Sequence, residues 1–317
     1  MMRKQLTELH ERGEPIAALH ASEATIYGRF GYGIATHGLR MRGEKRSMRF
    51  RPDVDLGRGS IRLVDRAEAR PLIEPVYDAV RRRSVGWLDR PDRFWRARLY
   101  DEEHVRGGAT ALRFAVHREP DGAVTGYAIY RLKGTGDDDP DSTVRVIELV
   151  ATTRQAHAAV WRFLADIDLH PWISYEAALD EPLPHLLLDA RAVRSTMIDR
   201  VWVRLVDIDR ALAARRYATP LDVVLEVTDP FCPWNAGHYR LQADGDSVTC
   251  ERTRERAELR LSSTELGAIY LGGTTLASLA AAGRVTEFRP GAVAECTTAF
   301  RGHREPFHPC GAAFPGC

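Results

Sequence analysis

A cluster of side chains near the start of the chain has types that could donate or accept a proton. His20, Ser22, Glu23 and Tyr27 lie within Ala18-Leu19-His20-Ala21-Ser22-Glu23-Ala24-Thr25-Ile26-Tyr27-Gly28-Arg29-Phe30-Gly31-Tyr32-Gly33. The apolar run from Ile16 to Leu19 stops at the polar Ser22-Glu23 corner. A short turn of helix then delivers Tyr27 just before a glycine and aromatic cluster that must turn sharply. Such a sequence presents a phenol at the end of a strand. A phenol with a pKa of about 10 is neutral near pH 7 and able to donate its proton. Tyr32, with glycine on both sides, reads as a packing residue in the turn.

The run His-Ala-Ser-Glu at 20–23, followed by Ile-Tyr-Gly-Arg-Phe-Gly-Tyr-Gly at 26–33, resembles a known family. It is similar to the strand, turn and helix that close the acetyl-CoA site in the Eis-like (enhanced intracellular survival) branch of the GNAT superfamily of N-acetyltransferases. The resemblance extends over nearly the whole chain, more loosely after Gly43. It implies that Tyr27 is the general acid at the thiol end of coenzyme A. Ser22 and Glu23 match positions that contact acetyl-CoA, and His20 matches a residue lining the amine pocket.

The reaction so implied moves an acetyl group from acetyl-CoA, a co-substrate, to a primary amine of aminoglycoside, polyamine or lysine-like type. An alkylammonium has a reference pKa of about 10.4, so at neutral pH it must be bound as a cation and then lose a proton. A carboxylate can do both. In the family that base is the chain's own terminal carboxylate, carried on a terminal Phe. Here the end reads Cys310-Gly311-Ala312-Ala313-Phe314-Pro315-Gly316-Cys317, and Phe314 looks like the family's last residue. The carboxylate then belongs to Cys317, displaced by up to about 10 Å along the chain unless the Pro315-Gly316 turn brings it back.

The elements that must position these groups follow in order. Met2, Leu6 and Leu9 repeat on one face of an amphipathic helix that Gly13 ends, with Met1 falling inside it rather than before it. Pro15 to His20 and Ala35 to Met41 read as strands. About 43 residues so arranged cannot bury a core of their own, and they read as the second half of a domain. The resemblance adds that a loop of the type Arg-Arg-x-Gly-x-x, whose N–H groups bind pyrophosphate, precedes this helix in the superfamily. No such loop stands before Met1 in this sequence.

Charged, aperiodic Glu44 to Asp55 reads as a linker. Beyond it a strand at 61–64 precedes a helix from Arg66 to Arg83, expected in two pieces around Pro71 and Pro75. Trp87, Phe94, Trp95 and Tyr100 mark an aromatic stretch that packs a core. Two alternating runs, 112–117 and 123–132, flank the turn Glu119-Pro120-Asp121-Gly122 as a hairpin. Then come the acidic loop 137–141, read as solvated, a strand at 144–150 and a helix at 155–167. The leucines at 186–188 and a strand at 201–206 complete a β-β-β-α-β-like order. That order resembles a second acetyltransferase fold, expected to be catalytically silent.

Strands at 221–227, 237–243, 247–251 and 257–261, with helices after Ser262 and at 276–282, form an α+β ending. In the family it resembles sterol carrier proteins. The expected architecture is thus α+β throughout. Residues 1–43 supply part of a GNAT fold, 55–206 a second GNAT-like fold and 207–317 a sterol-carrier-like domain.

Composition narrows the class. The 317 residues are 44% hydrophobic and 28% charged, as in globular proteins, and 45 basic against 44 acidic residues leave a formal charge of +1. No overall field would steer the chain to nucleic acid or an acidic membrane. No apolar run approaches a bilayer span, and a cytoplasmic protein is expected. The five cysteines show neither an even count nor C-x-x-C spacing, so neither a disulfide framework nor a zinc site is indicated. His303, His308 and Cys310 could gather round a metal, but ordinary loop and core roles are preferred. By resemblance the enzyme is a homohexamer. The contrasting reading is a catalytically inactive, shortened homologue that serves as a binding or interaction protein.

Overall fold

The computed structural model describes residues 1–134 and 139–309. In chain order the first elements are α1 (Met2–Glu11), β1 (Ile16–His20), α2 (Ala24–Tyr27), β2 (Gly33–Ile34), β3 (His37–Glu44) and β4 (Ser60–Val64). Next come α3 (Arg66–Arg81), α4 (Asp92–Arg98), β5 (Arg113–Arg118), β6 (Val124–Lys133), β7 (Thr143–Ala151), α5 (Arg154–Asp166) and β8 (Trp172–Ala177). They are followed by α6 (Leu183–Leu186), β9 (Val193–Asp199), β10 (Val201–Leu205), α7 (Ile208–Ala213), β11 (Leu221–Thr228) and β12 (Gly237–Asp244). The last are β13 (Ser247–Arg252), β14 (Leu259–Ser262), α8 (Ser263–Ile269), α9 (Leu276–Ala281), β15 (Thr286–Glu287) and α10 (Ala292–Phe300). The described residues divide into two units, one of residues 1–37 with 199–308, the other of residues 38–198 with 309.

In the second unit a seven-stranded sheet runs β4-β5-β6-β7-β8-β3-β9. Strand alternation assigns each face its own core. Phe114, Val116, Tyr127 and Ile129 meet Ile73, Val76 and Trp95 of α3 and α4. Ala115, Ala128 and Tyr130 lie in the core with Trp161 and Leu164 of α5. β7 and β8 are parallel, which is why a helix must cross between them. Thr153 caps that helix by accepting from the Ala156 N–H.

α3 is one continuous helix, contrary to the expected break at Pro71 and Pro75. Both prolines are exposed, so each carbonyl left without a donor faces water while Ala69, Ile73, Val76 and Tyr77 hold the other face to the sheet. The leucine run at 186–188 is likewise not a strand: α6 ends at Leu186, and Leu187 makes one isolated bridge to Phe50. The strand that follows α5 is β8, whose burial alternates residue by residue. Of the acidic loop, residues 135–138 lie outside the described residues.

A buried ion pair stands between β7 and the helices over it. Glu148 accepts both guanidinium nitrogens of Arg90, at 3.1 and 2.9 Å, and the Tyr127 hydroxyl at 2.6 Å. Arg98 lies 3.0 Å from the same carboxylate and donates to the Ile147 carbonyl, where the register of β6 and β7 shifts. The Arg90 guanidinium stacks on Tyr77 and Trp95, 3.7 and 4.5 Å from their ring centres. The aromatic stretch expected to pack a core therefore also houses a cation.

In the first unit β10 lies between β1 and β2 in a three-stranded antiparallel sheet. The strand at 201–205, expected to close the central β-β-β-α-β order, thus pairs with the N-terminal segment. A five-stranded sheet follows, in the order β13-β12-β11-β14-β15. Its β11 and β14 are parallel while its other pairs are antiparallel, so it is mixed. Helix α8 connects the two sheets and opens with a capping box of Ser262 and Glu265. It approaches the small sheet very closely. A β-carbon on Gly33 would lie 2.1 Å from the Thr264 carbonyl oxygen, and one on Gly267 would lie 2.2 Å from that of Val203.

Burial alone would raise the Glu148 carboxyl, but Arg90 and Arg98 hold it at about 2, against 4.5 for an ordinary glutamate. Its contribution to stability is therefore complete above about pH 4.5 and is lost as the pH falls towards about 2. Glu148→Gln should remove about 3–5 kcal/mol of stability at pH 7, because two buried cations lose their carboxylate. The difference in denaturant midpoints between wild type and variant should narrow on acidification through that window.

Candidate active site

The candidate residues are carried by the end of β1 and the turn after it. β1 pairs with β10 in the register Leu19 to Trp202 and His20 to Val201, which fixes where the strand stops. Ser22 and Glu23 follow it and are exposed, with Glu23 extended and opening the single turn of α2. Tyr27 ends that turn half-buried, its ring edge-on to Tyr32 with 6.1 Å between centroids. Gly28 to Phe30 form one 3-10 turn, closed by Gly31 at φ 82°, whose N–H donates to the Gly28 carbonyl at 3.1 Å. The Tyr32 N–H returns to the Tyr27 carbonyl at 3.3 Å. The local sequence explains this turn: a residue with positive φ is needed where Gly31 stands.

What surrounds the turn comes from distant parts of the chain. Arg204 of β10 lies beneath it, its side chain and that of Asp229 both 0% exposed and 2.5 Å apart. Asp229 also accepts from the Cys232 N–H at 2.9 Å and from the Asn235 side chain at 3.1 Å. A β-carbon on Gly31 would lie 2.5 Å from Arg204 Nη1 and 2.6 Å from Ser263 Oγ. Phe30 packs edge-on against Phe231, whose other contact is the Arg3 guanidinium of α1. Burial pushes the Tyr32 phenol up to about 12, the neighbouring Arg204 opposing it, so Tyr32 stays neutral and packed.

At the other side of β1, His20 meets His308, with 5.7 Å between the ring centroids. His308 is 2% exposed. The segment that brings it there runs beside Gly273, where a β-carbon would lie 2.4 Å from the Ala35 carbonyl and 3.1 Å from the Pro306 ring. Phe307 packs under the Arg200 guanidinium. Arg215 fixes the origin of this segment by donating to the last carbonyls of two helical runs, Tyr270 and Phe300, at 2.8 Å each.

His20, Ser22, Glu23 and Tyr27 are thus set along one strand end and its turn, whereas Cys317 lies outside the described residues. Cys310 does too, and among the described residues no group of three or more His, Cys, Asp or Glu side chains is placed to hold a metal. Arg204 and His308 were not singled out as site residues by their sequence context. The one signal for Arg204 was a lone charge inside the apolar run Val-Trp-Val-Arg-Leu. For His308 no local signal exists, since only the folded tail brings it to His20.

Comparison with known proteins bears on this arrangement. The acetyltransferase (GNAT) domain is matched twice, at residues 1–35 and 86–205, and the sterol carrier protein domain at 208–309. An uncharacterized N-acetyltransferase of Streptomyces avermitilis is 44% identical over 315 residues, 98% of this chain and 76% of that protein. The N-acetyltransferase Eis of Mycobacterium tuberculosis is 38% identical over 296 residues, 90% of this chain and 70% of that protein. The chain belongs to the Eis-like family of GNAT N-acetyltransferases. The crystal structure of Eis1 from Mycobacterium abscessus superposes with a TM-score of 0.81 at 35% identity, over 98% of this chain and 76% of that one. This Eis-like protein is accordingly an acetyltransferase. It combines GNAT folds with a sterol-carrier-like domain, and GNAT acetyltransferases use acetyl-CoA as co-substrate.

Gly31→Ala should expose how tightly the turn is held. The left-handed backbone costs a residue with a β-carbon roughly 1–2 kcal/mol, and the new carbon meets Arg204 and Ser263 besides. A fall in thermal midpoint together with a changed Tyr27 environment is expected, read by calorimetry and by the NMR resonance of the ring.

Proposed function

We propose that this Eis-like enzyme transfers the acetyl group of acetyl-CoA to a primary amine of aminoglycoside, polyamine or lysine-like type, with Tyr27 as the general acid. The observation that carries this reading is the placement of Tyr27 one helical turn after the exposed Ser22-Glu23 corner, on a turn braced from below by Arg204. Acetyl-CoA supplies the activated acyl group as a thioester. Ser22 and Glu23 are open to solvent and suited to meet its thiol end. His20, turned towards the His308 ring, suits the wall of the amine pocket.

The proton inventory is simple. The ammonium must lose one proton before its nitrogen can attack and a second as the amide forms, and the departing thiolate must gain one. In this reading the C-terminal carboxylate of Cys317 takes the first, the Tyr27 phenol protonates the thiolate, and the second proton from nitrogen restores the phenol, so that one proton is released overall. Tyr27 is only half-buried and so open to a bound ligand, whereas Tyr32 is fully buried. The exposed corner follows directly on His20 at the same strand end. The homohexamer and cytoplasmic setting implied by the family resemblance belong to the same proposal.

An acetyl-CoA-dependent thiol-release assay over a panel of amines tests it. Tyr27→Phe should lower kcat on the order of 100-fold while leaving the KM for the amine nearly unchanged. Removing residues 310–317 should cost a comparable factor through loss of the base. Absence of turnover with every amine, or full activity in Tyr27→Phe, would sink the assignment.

A further inference from the structure

Arg204 is a charge for which packing alone gives no reason. Its side chain is 0% exposed, and replacing such a buried pair by apolar groups generally costs a protein little. One terminal nitrogen, Nη2, reaches Asp229, while Nε and Nη1 find no hydrogen-bond partner among the described residues. Unused buried donors are expensive, and they tend to persist where a site requires them. The unused Nη1 lies against Gly31, directly under the turn that starts at Tyr27.

We propose that Arg204 is a positioning residue for Tyr27, holding the turn 27–32 at the height that sets the phenol at the strand end. The inference rests on the reading of Tyr27 as the acid. The route is short and physical. Gly31 sits on the guanidinium with no space for a side chain, and the Tyr32 N–H ties that floor back to the Tyr27 carbonyl. Tyr32, buried beside Arg204, supports the Tyr27 ring edge-on. The guanidinium is in turn held by Asp229, whose other partners are Cys232 and Asn235. The acid is therefore referenced to the loop 229–235, which lies within the sterol-carrier-like match. That gives this domain a part in acetyl transfer.

The test uses the full chain with Arg204→Met combined with Asp229→Asn, so that neither charge is left buried alone. Two donors are compared: acetyl-CoA, whose alkyl thiolate needs a proton to leave, and an acetyl ester of an acidic aromatic thiol, which does not. If Arg204 acts through Tyr27, kcat with acetyl-CoA falls by about tenfold or more, within the span of a general-acid contribution. The loss then largely disappears with the aromatic thioester, and adding the changes to Tyr27→Phe costs no more than about twofold further. A loss that is equal for both donors, or that adds in full to Tyr27→Phe, would make the pair purely structural and overturn the proposal.

Gly31→Ala, which forces the turn and the guanidinium apart while keeping both charges, should show the same dependence on the donor and serves if the double variant does not fold. Should Tyr27→Phe prove fully active, the acid assignment fails separately. The positioning claim is then read from the ring-carbon NMR resonance of Tyr27, assigned by its absence in Tyr27→Phe. It must shift when Arg204 and Asp229 are replaced, while that of Tyr77 stays put. An unmoved Tyr27 resonance refutes the claim.

Discussion

The ion pair of Arg204 and Asp229 is the constraint on which the first unit depends. A guanidinium and a carboxylate, both removed from water, are held in a geometry that tolerates little change because neither can be left alone. Arg204 belongs to the central strand of the small sheet, and Asp229 follows the central strand of the larger one. The pair therefore locks two sheets that share no strand. Helix α8 completes the lock, and it can lie so close only because Gly33 and Gly267 carry no side chains at the contact.

The second unit uses the same chemistry differently. Around Glu148, two arginines and a tyrosine hydroxyl converge on one carboxylate, and aromatic rings cover the Arg90 cation. The carboxylate is satisfied and closed to solvent, so the arrangement stabilises a sheet and two helices and has no access to a substrate. Around Asp229 the carboxylate is likewise satisfied, while Nε and Nη1 of Arg204 have no hydrogen-bond partner among the described residues. A partly satisfied buried cation is costly, and this one lies against Gly31 in the turn that follows Tyr27.

Much of the candidate site was readable from adjacent residues. A strand ending at His20, a polar corner at Ser22-Glu23 and a phenol before a glycine turn are local facts, governed by periodicity and backbone freedom over a few residues. The hairpin at 113–133 was legible for the same reason, as was a helix start at Ser262 or Ser263. Harder to read were elements whose local signals conflict. α3 survives two prolines because both face water, and β8 escaped notice because its alternation is carried by mixed residues such as Trp172, Ser174 and Glu176.

The amino-acid sequence by itself determined the segment types, the turn at Gly31 and the set of groups able to donate or accept a proton near Tyr27. It did so because those properties depend on neighbours within one or two turns of chain. Only the tertiary structure decided that β10 pairs with β1 and β2, that His308 meets His20, and that Arg204 lies against the turn after Tyr27. Strand pairing and charge burial join residues nearly 200 positions apart, and each contact offsets the entropy of closing a long loop only when the rest of the core forms with it.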